Sequence, residues 1–577
     1  MAEVKSPSRE SLPTSSSPVP VAGSEESKEI SIRNATDEDE KKAAPATGPP
    51  SVEYPGAIMG SILTIALLLA MFLVALDMLI KSPQSIITTA IPTITARFHS
   101  EGQMGWYGSA FFLCLASFQS FWGKAYKYFP IKIAFLTAIG VFELGSLVAA
   151  LSPNSPALII GRAIQGVGGA GVTGGCYTVL AFITRPKYLH AVFGLTSGVF
   201  SLSSVLGPIL SGVFTQYATW RWCFWVNLPI GGFAVIILLL FLKMPPHSRV
   251  AHATLKELPF LFDIPGIALT VCALVCLVLV LENGGVTKPW NSSYCIGLLI
   301  GFILIVILLI VLEWKQGEGA MIVPRIIKRR TVLVLALFNL TAQGSGFARI
   351  YNLPIYFQAA QGQSPSESGI RTLPTVLTTS IFSFAGSLAI GKVGYYQPFL
   401  MLGSMFVTIG SAMIYTLEPN SGAGKYIGYQ VLASIGSGLI IQLNVIVAQA
   451  ISKRVDMSVT VGSVLFFQFI GGTVGVAAST NIMNNVLISS LPTDGRISAA
   501  DVLSAGSTGL AKIFPNPADL KIVVGAYMKG LKAAWIWSIA LAGVSFLVSL
   551  AAERKSVRLD HVKKRAEKKA AAEAATP

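Results

Sequence analysis

The chain has 577 residues, of which 53% are hydrophobic and only 12% charged, with a formal net charge of +15. Soluble proteins are about 25% charged, so this composition cannot coat a water-exposed surface of matching size. The basic excess forms no patch interleaved with aromatic residues, which argues against a nucleic-acid partner.

Residues 1–54 are rich in Ser, Pro and charge, cannot bury a core, and are expected to form a disordered cytoplasmic tail. The opening MAEVKSPSRE is no cleavable signal peptide, so the first span has to direct insertion. Apolar stretches then fall at 57–80, 105–122, 131–151, 156–183, 190–213, 222–242, 263–281, 293–313, 331–357, 369–391, 396–416, 426–448, 458–487 and 531–551. Each suits the roughly 30 Å of hydrocarbon in a bilayer. Backbone groups in lipid have to be satisfied within each segment, and runs this long are helices rather than barrel strands. The expected fold class is an all-α polytopic membrane protein with 14 transmembrane helices.

Lys and Arg crowd alternate connectors, among them Lys124, Lys127, Lys132, Arg185, Lys187, Arg325, Lys328 and Lys453. Positive charge stays inside, which places both termini in the cytoplasm. The basic C-terminal tail suits an anionic lipid surface. Asn291-Ser292-Ser293 is a glycosylation sequon in an outer connector.

Charge inside a span is expensive and therefore marks candidate function. Asp77 lies in the first span, Glu143 in the third, Arg162 in the fourth and Arg349 in the ninth. Asp77 and Arg162 are the candidates for proton coupling, because a buried carboxylate can load and release a proton as access alternates. A purely structural ion pair is the alternative. The glycines of IIGRAIQGVGGAGVTGG read first as a packing face. Gly207 and Pro208 mark a kink in the fifth span that serves as a hinge or a seal, or is a passive bend. Tyr351, Tyr356, Gln358, Gln442, Asn444 and Gln468 either line a cavity for a large, mostly apolar substrate or hydrogen-bond helices together. There is no GxxxxGK[ST] loop, HExxH motif or nucleophile–base set. The chain is accordingly not expected to be an enzyme or to hold a metal or cofactor; its energy source is an ion gradient.

These features together resemble the major facilitator superfamily, in its fourteen-span drug:proton antiporter branch, and most closely fungal toxin and multidrug efflux carriers. The resemblance covers about residues 55–552. It rests on ALIIGRAIQGVGGAG, LGPILSG, WRWCFWVNLPIGG, WYGSAFFL, YNLPIYFQA, SGIRTLP and FFQFIGG. It implies two six-helix bundles, 55–243 and 326–552, joined by a connector at 244–325 that holds helices seven and eight, with a basic tail at 553–577. It associates Arg162 with proton transfer and implies a substrate bound between the bundles. Gly123 and Lys124 open the connector GKAYKYFPIK, which stands where the family has a gating GxxxDRxGRR, and are read as gating residues. Lys127 replaces the gating Asp there, which puts that salt-bridge network in doubt. The first span, LDMLIKSPQSIITTAIP, carries about six residues more around Lys81, Ser82 and Pro83 than the family pattern LDxTIxxxAIP, enough to break the helix. It reads as an unspliced remnant or a damaged allele. Arg349 replaces an uncharged residue and, facing the cavity, would attract an anionic substrate.

The resemblance implies a monomeric exporter of a secondary metabolite, toxin or drug, driven by protons, in the plasma or vacuolar membrane. A proton-coupled importer, such as a siderophore carrier, and a non-transporting receptor are the alternatives.

Overall fold

In the computed structural model, the described residues are 54–79, 98, 106–244, 261–492 and 496–556. The inserted residues around Lys81 lie outside them.

Helices occupy every expected span. They are α1 (Ala57–Leu79), α2 (Trp106–Ser117 and Gln119–Tyr128, broken at Phe118), α3 (Ile131–Leu151), α4 (Ser155–Ile183), α5 (Pro186–Tyr217) and α6 (Trp222–Trp225 and Asn227–Phe241). Then come α7 (Ile264–Asn283), α8 (Ser293–Gln316), α9 (Arg330–Ile355), α10 (Pro365–Val393), α11 (Gln397–Tyr415), α12 (Ala423–Ile441 and Leu443–Ile451), α13 (Met457–Ser489) and α14 (Pro517–Leu550). Among the described residues, 12 helices are long and apolar enough to cross a membrane. The other two are the broken α2 and α5, part of whose side chains lie outside the described residues.

Local chemistry sets the helix starts. The side chain of Asn154 accepts from the Ala157 amide at the start of α4, Ser292 caps α8, Ser364 caps α10, and Asn516 caps α14. Each satisfies a backbone donor that the first turn leaves free. Pro354 stands inside α9, and the helix runs on into one π-helical turn at Tyr356–Ala360. Inserted turns of this kind accommodate a missing backbone donor.

The helices assemble as two six-helix bundles with two helices inserted between them. In the first bundle α1 packs against α4, α5 and α6, α3 against α4 and α6, and α2 against α4. In the second, α9 packs against α13 and α14, α11 against α12 and α14, and α10 against α12. The glycines of α4 do the packing work expected of them. A Cβ on Gly168 would stand 2.2 Å from the Phe142 amide nitrogen, and one on Gly166 would stand 2.4 Å from the Phe111 carbonyl. Small residues let backbones approach this closely in lipid, where no hydrophobic force pulls helices together.

The bundles meet along two seams, α2 against α13 and α5 against α10. Helix α7 lies against α2 and α13, while α8 packs on α7. Ile300, Ile303, Leu304, Ile307 and Leu308 of α8 are exposed, as a lipid-facing helix requires. Asp263 fixes where the inserted pair begins. It adopts a left-handed φ of 45° and accepts from the amides of Gly266 and Met321, both at 2.8 Å. That conformation costs a non-glycine residue about 1–3 kcal/mol, offset here by two buried hydrogen bonds to a carboxylate.

Candidate functional site

The first bundle holds a buried ion pair. Asp77 on α1 is 0% exposed and Arg162 on α4 is 1% exposed. A single guanidinium nitrogen, Nη1, reaches both carboxylate oxygens at 2.7 and 2.6 Å and donates to Gln165 Oε1 as well. The remaining nitrogens, Nε and Nη2, have no hydrogen-bond partner among the described residues. The rings of Phe111 and Phe224 lie 4.7 and 5.6 Å from the guanidinium carbon. The network then continues outward: Gln165 Nε2 donates to Ser146 Oγ at 2.8 Å, and Asn227 Nδ2 donates to the same hydroxyl at 3.2 Å. Gln165 and Asn227 sit inside the motifs RAIQG and WVNLP, so their positions were visible in the sequence while their function as a polar second layer was not.

Glu143 lies on α3 one turn before Ser146. Both carboxyl oxygens are buried and have no hydrogen-bond partner among the described residues. A glycine makes the room: a Cβ at Gly231 of α6 would fall 1.8 Å from Glu143 Oε1. An ionised carboxylate without partners is expensive to bury. Among the described residues the first bundle therefore contains two buried carboxyl groups in contrasting settings, one ion-paired and one without a hydrogen-bond partner.

The second bundle holds a buried cation of a different kind. Arg349 on α9 is 2% exposed. Its Nη1 donates to Ser411 of α11 at 3.2 Å, and its Nη2 donates to Ser437 of α12 at 2.7 Å. Both partners are neutral hydroxyls.

The six polar candidates for a cavity separate by what they touch. Gln442 spans a seam, its Nε2 donating to Thr196 and Ser197 of α5 at 2.9 and 2.7 Å. Asn444 donates to Asn339 of α9 inside the second bundle. Tyr356 donates to the Glu418 carbonyl at 2.7 Å, and Gln358 accepts from Ser507 at 2.7 Å. Tyr351 and Gln468 are half-buried, and Gln468 Oε1 has no hydrogen-bond partner among the described residues.

Gly123 and Lys124, the residues read as gating from the sequence, stand where the α2–α13 seam closes, at the end of the molecule rich in Lys and Arg, the basic end. A Cβ on Gly123 would lie 2.9 Å from the Ser458 carbonyl, so α2 and α13 touch backbone to backbone. Lys124 is buried and donates to the carbonyls of Leu261 and Gly319, each at 2.6 Å, tying α2 to the segments that flank the inserted helices. Lys127 pairs with Asp456 at 3.2 Å, Asp456 with Arg325 at 3.0 Å, and Arg325 with Glu318 at 2.6 Å. An ion-pair network therefore does cross between bundles, with the base on α2 and the acid at the start of α13. The Lys at 127 reverses the polarity of the expected network without removing it. Gly207 is buried within α5, whereas the side chain of Pro208 lies outside the described residues. Along the second seam Ser383 donates to Ser197 at 2.6 Å and Ser380 to Ser201. Asn291 is exposed in the α7–α8 connection.

Comparison with known proteins agrees with this architecture. The family model described as "Major Facilitator Superfamily" matches residues 65–476. An MFS-type transporter of Pestalotiopsis microspora is 41% identical over 520 residues, covering 89% of this chain and 94% of its own. A dehydrocurvularin exporter of Aspergillus terreus is 39% identical over 502 residues, covering 87% of this chain and 88% of its own. Among solved structures, the proton:xylose symporter XylE superposes with a TM-score of 0.56 at 11% identity, covering 88% of this chain and 100% of that one; this likeness bears on the fold alone. With the buried charges, paired bundles and closed seams described above, these matches establish that the chain belongs to the Major Facilitator Superfamily and is a multi-pass membrane transporter, not an enzyme.

Proposed function

We propose that this transporter is an exporter of a small organic molecule, a secondary metabolite, toxin or drug, driven by proton antiport through alternating access. The observation that carries the reading is the buried Asp77–Arg162 pair with unpartnered Glu143 nearby. Protonating Asp77 removes the counter-charge of Arg162 and leaves that guanidinium to Gln165 and the faces of two aromatic rings. A change of that size in a buried site biases one packing of the bundle over another. The exporter of Aspergillus terreus among the relatives supports the direction of transport.

In this reading the basic end faces the cytoplasm, with both termini there, and the plasma membrane is the site of action. The Lys127–Asp456–Arg325 chain and the α5–α10 serines hold that side shut. Opening it exchanges these contacts for water and admits substrate between the bundles. The carrier works as a monomer and requires no cofactor beyond the proton gradient.

The test is accumulation of a panel of labelled toxins and siderophores in cells with and without the protein, each with and without a proton uncoupler. Export predicts lower accumulation of at least one compound in expressing cells, with the difference abolished by the uncoupler. Accumulation indifferent to both protein and uncoupler would overturn the proposal, and uncoupler-sensitive gain of a siderophore would reverse its direction.

A further inference from the structure

The second bundle contains a cation that no acid among the described residues neutralises. Arg349 is 2% exposed, and its hydrogen-bond partners among the described residues are serines, with no Asp or Glu paired to it. Arginine stays charged in proteins, and a buried charge without a counter-charge is strongly unfavourable. Two of its donors are taken by Ser411 and Ser437, which satisfy hydrogen bonds and leave the charge untouched.

Its surroundings are polar beyond what the arginine itself uses. Ser434, one turn before Ser437 on α12, is 0% exposed, and its hydroxyl has no hydrogen-bond partner among the described residues. Close backbone contact fixes the two serine-bearing helices relative to one another: a Cβ on Gly410 of α11 would stand 2.4 Å from the Ala433 amide nitrogen of α12. A buried guanidinium with no acid beside it among the described residues, three of its five N–H groups not spent on the two serines, and an idle buried hydroxyl on the same helix as Ser437 together describe an anion site without its anion.

We propose that Arg349, with Ser411, Ser434 and Ser437, is the subsite for an acidic group of the substrate, a carboxylate or an ionised phenol on an otherwise apolar molecule. The proposal rests on the reading of the chain as a carrier of small organic molecules and narrows its substrate class. A bidentate guanidinium–carboxylate contact supplies the missing counter-charge, and the serines hold the planar fork in place to receive it. Nothing in the proposal depends on proton coupling, so the two can fail separately.

The test is thermal unfolding of the purified full-length protein in a zwitterionic buffer free of chloride and of carboxylates, comparing wild type with Arg349→Met and Arg349→Lys. The probes are 2-naphthoate, its methyl ester and chloride. With no ligand present, Arg349→Met is expected to unfold at a higher temperature than wild type, because it removes an uncompensated buried charge. The naphthoate is expected to raise the wild-type midpoint, while Arg349→Lys needs at least about tenfold more of it for the same rise and Arg349→Met shows none. The ester is expected to have no effect on any of the three. The proposal fails if Arg349→Met unfolds earlier than wild type, which would make Arg349 structural. It fails equally if acid and ester act alike, if neither acts, or if chloride alone reproduces the whole effect, which would make the site one for an inorganic ion.

Discussion

Among the described residues each bundle buries one arginine, and the two are treated in opposite ways. Arg162 shares a single nitrogen between both oxygens of Asp77 and is backed by Gln165, Ser146 and Asn227. Arg349 has two serines and no acid among the described residues. The first arrangement is neutral as it stands, and its state can be changed by a proton on Asp77. The second has no acid to neutralise it among the described residues, and on the proposal above its counter-charge comes with the substrate. On the reading proposed above, energy coupling belongs to the first bundle and substrate recognition to the second, and substitutions on the two sides should separate these functions.

The largest effect is expected from Asp77→Asn. It leaves Arg162 as a buried charge without a partner, which costs about 3–5 kcal/mol, read as a lowered unfolding temperature and loss of transport. The double variant Asp77→Asn/Arg162→Gln should recover most of the stability and none of the uncoupler-sensitive transport. Recovery of both would mean that the pair is structural. Arg349→Met should move stability the other way, as argued above, and the opposite signs at two buried arginines form the sharpest contrast the fold offers.

Packing gives the next effect. Gly168→Ala pushes a methyl group into the α3 backbone at Phe142 and should destabilise by about 1–3 kcal/mol. Gly140→Ala, on the same helix pair but with nothing within 4 Å, should stay within about 0.5 kcal/mol of wild type. Equal thermal shifts for the two would contradict the α3–α4 contact.

At the basic end Asp456 serves two cations, Lys127 and Arg325. Asp456→Asn should therefore loosen closure more than Lys127→Met, by about 1 kcal/mol for each partner lost. Alkylation of a cysteine placed at Ser458 measures this, with faster labelling in the Asp456 variant. The smallest structural effect belongs to Glu143→Gln. With no hydrogen bond to lose, its unfolding temperature should match wild type to within about 1 kcal/mol. The pH dependence of transport should nevertheless change, since a glutamine carries no exchangeable charge.

The helices were legible in the sequence because each span in lipid satisfies its own backbone, so every one leaves an unbroken apolar run. Asp77 and Arg162 were legible for the converse reason, as charges interrupting such runs. What was not legible is who meets whom. Gln442 and Asn444 read equally as lining or fastening residues, because an amide in an apolar run suits both, and only the fold shows Gln442 bonded to Thr196 and Ser197 of the other bundle and Asn444 to Asn339. Lys127 put the salt-bridge network in doubt because motif reading registers residue identity, whereas an ion pair needs only opposite signs on facing helices. Glu143 stood out as a charge, but its isolation depends on Gly231 of α6, a contact no local pattern encodes.

The central claim, that the Asp77–Arg162 pair carries the coupling proton, is tested most directly in sealed vesicles containing the purified protein and a trapped pH-sensitive dye. A substrate found by the accumulation screen is supplied on one side, with no pre-set pH difference. The account predicts that wild-type vesicles move protons against the flow of substrate and that Asp77→Asn vesicles move none. Proton movement of equal size in both, or substrate flux in wild type without any proton movement, would contradict it.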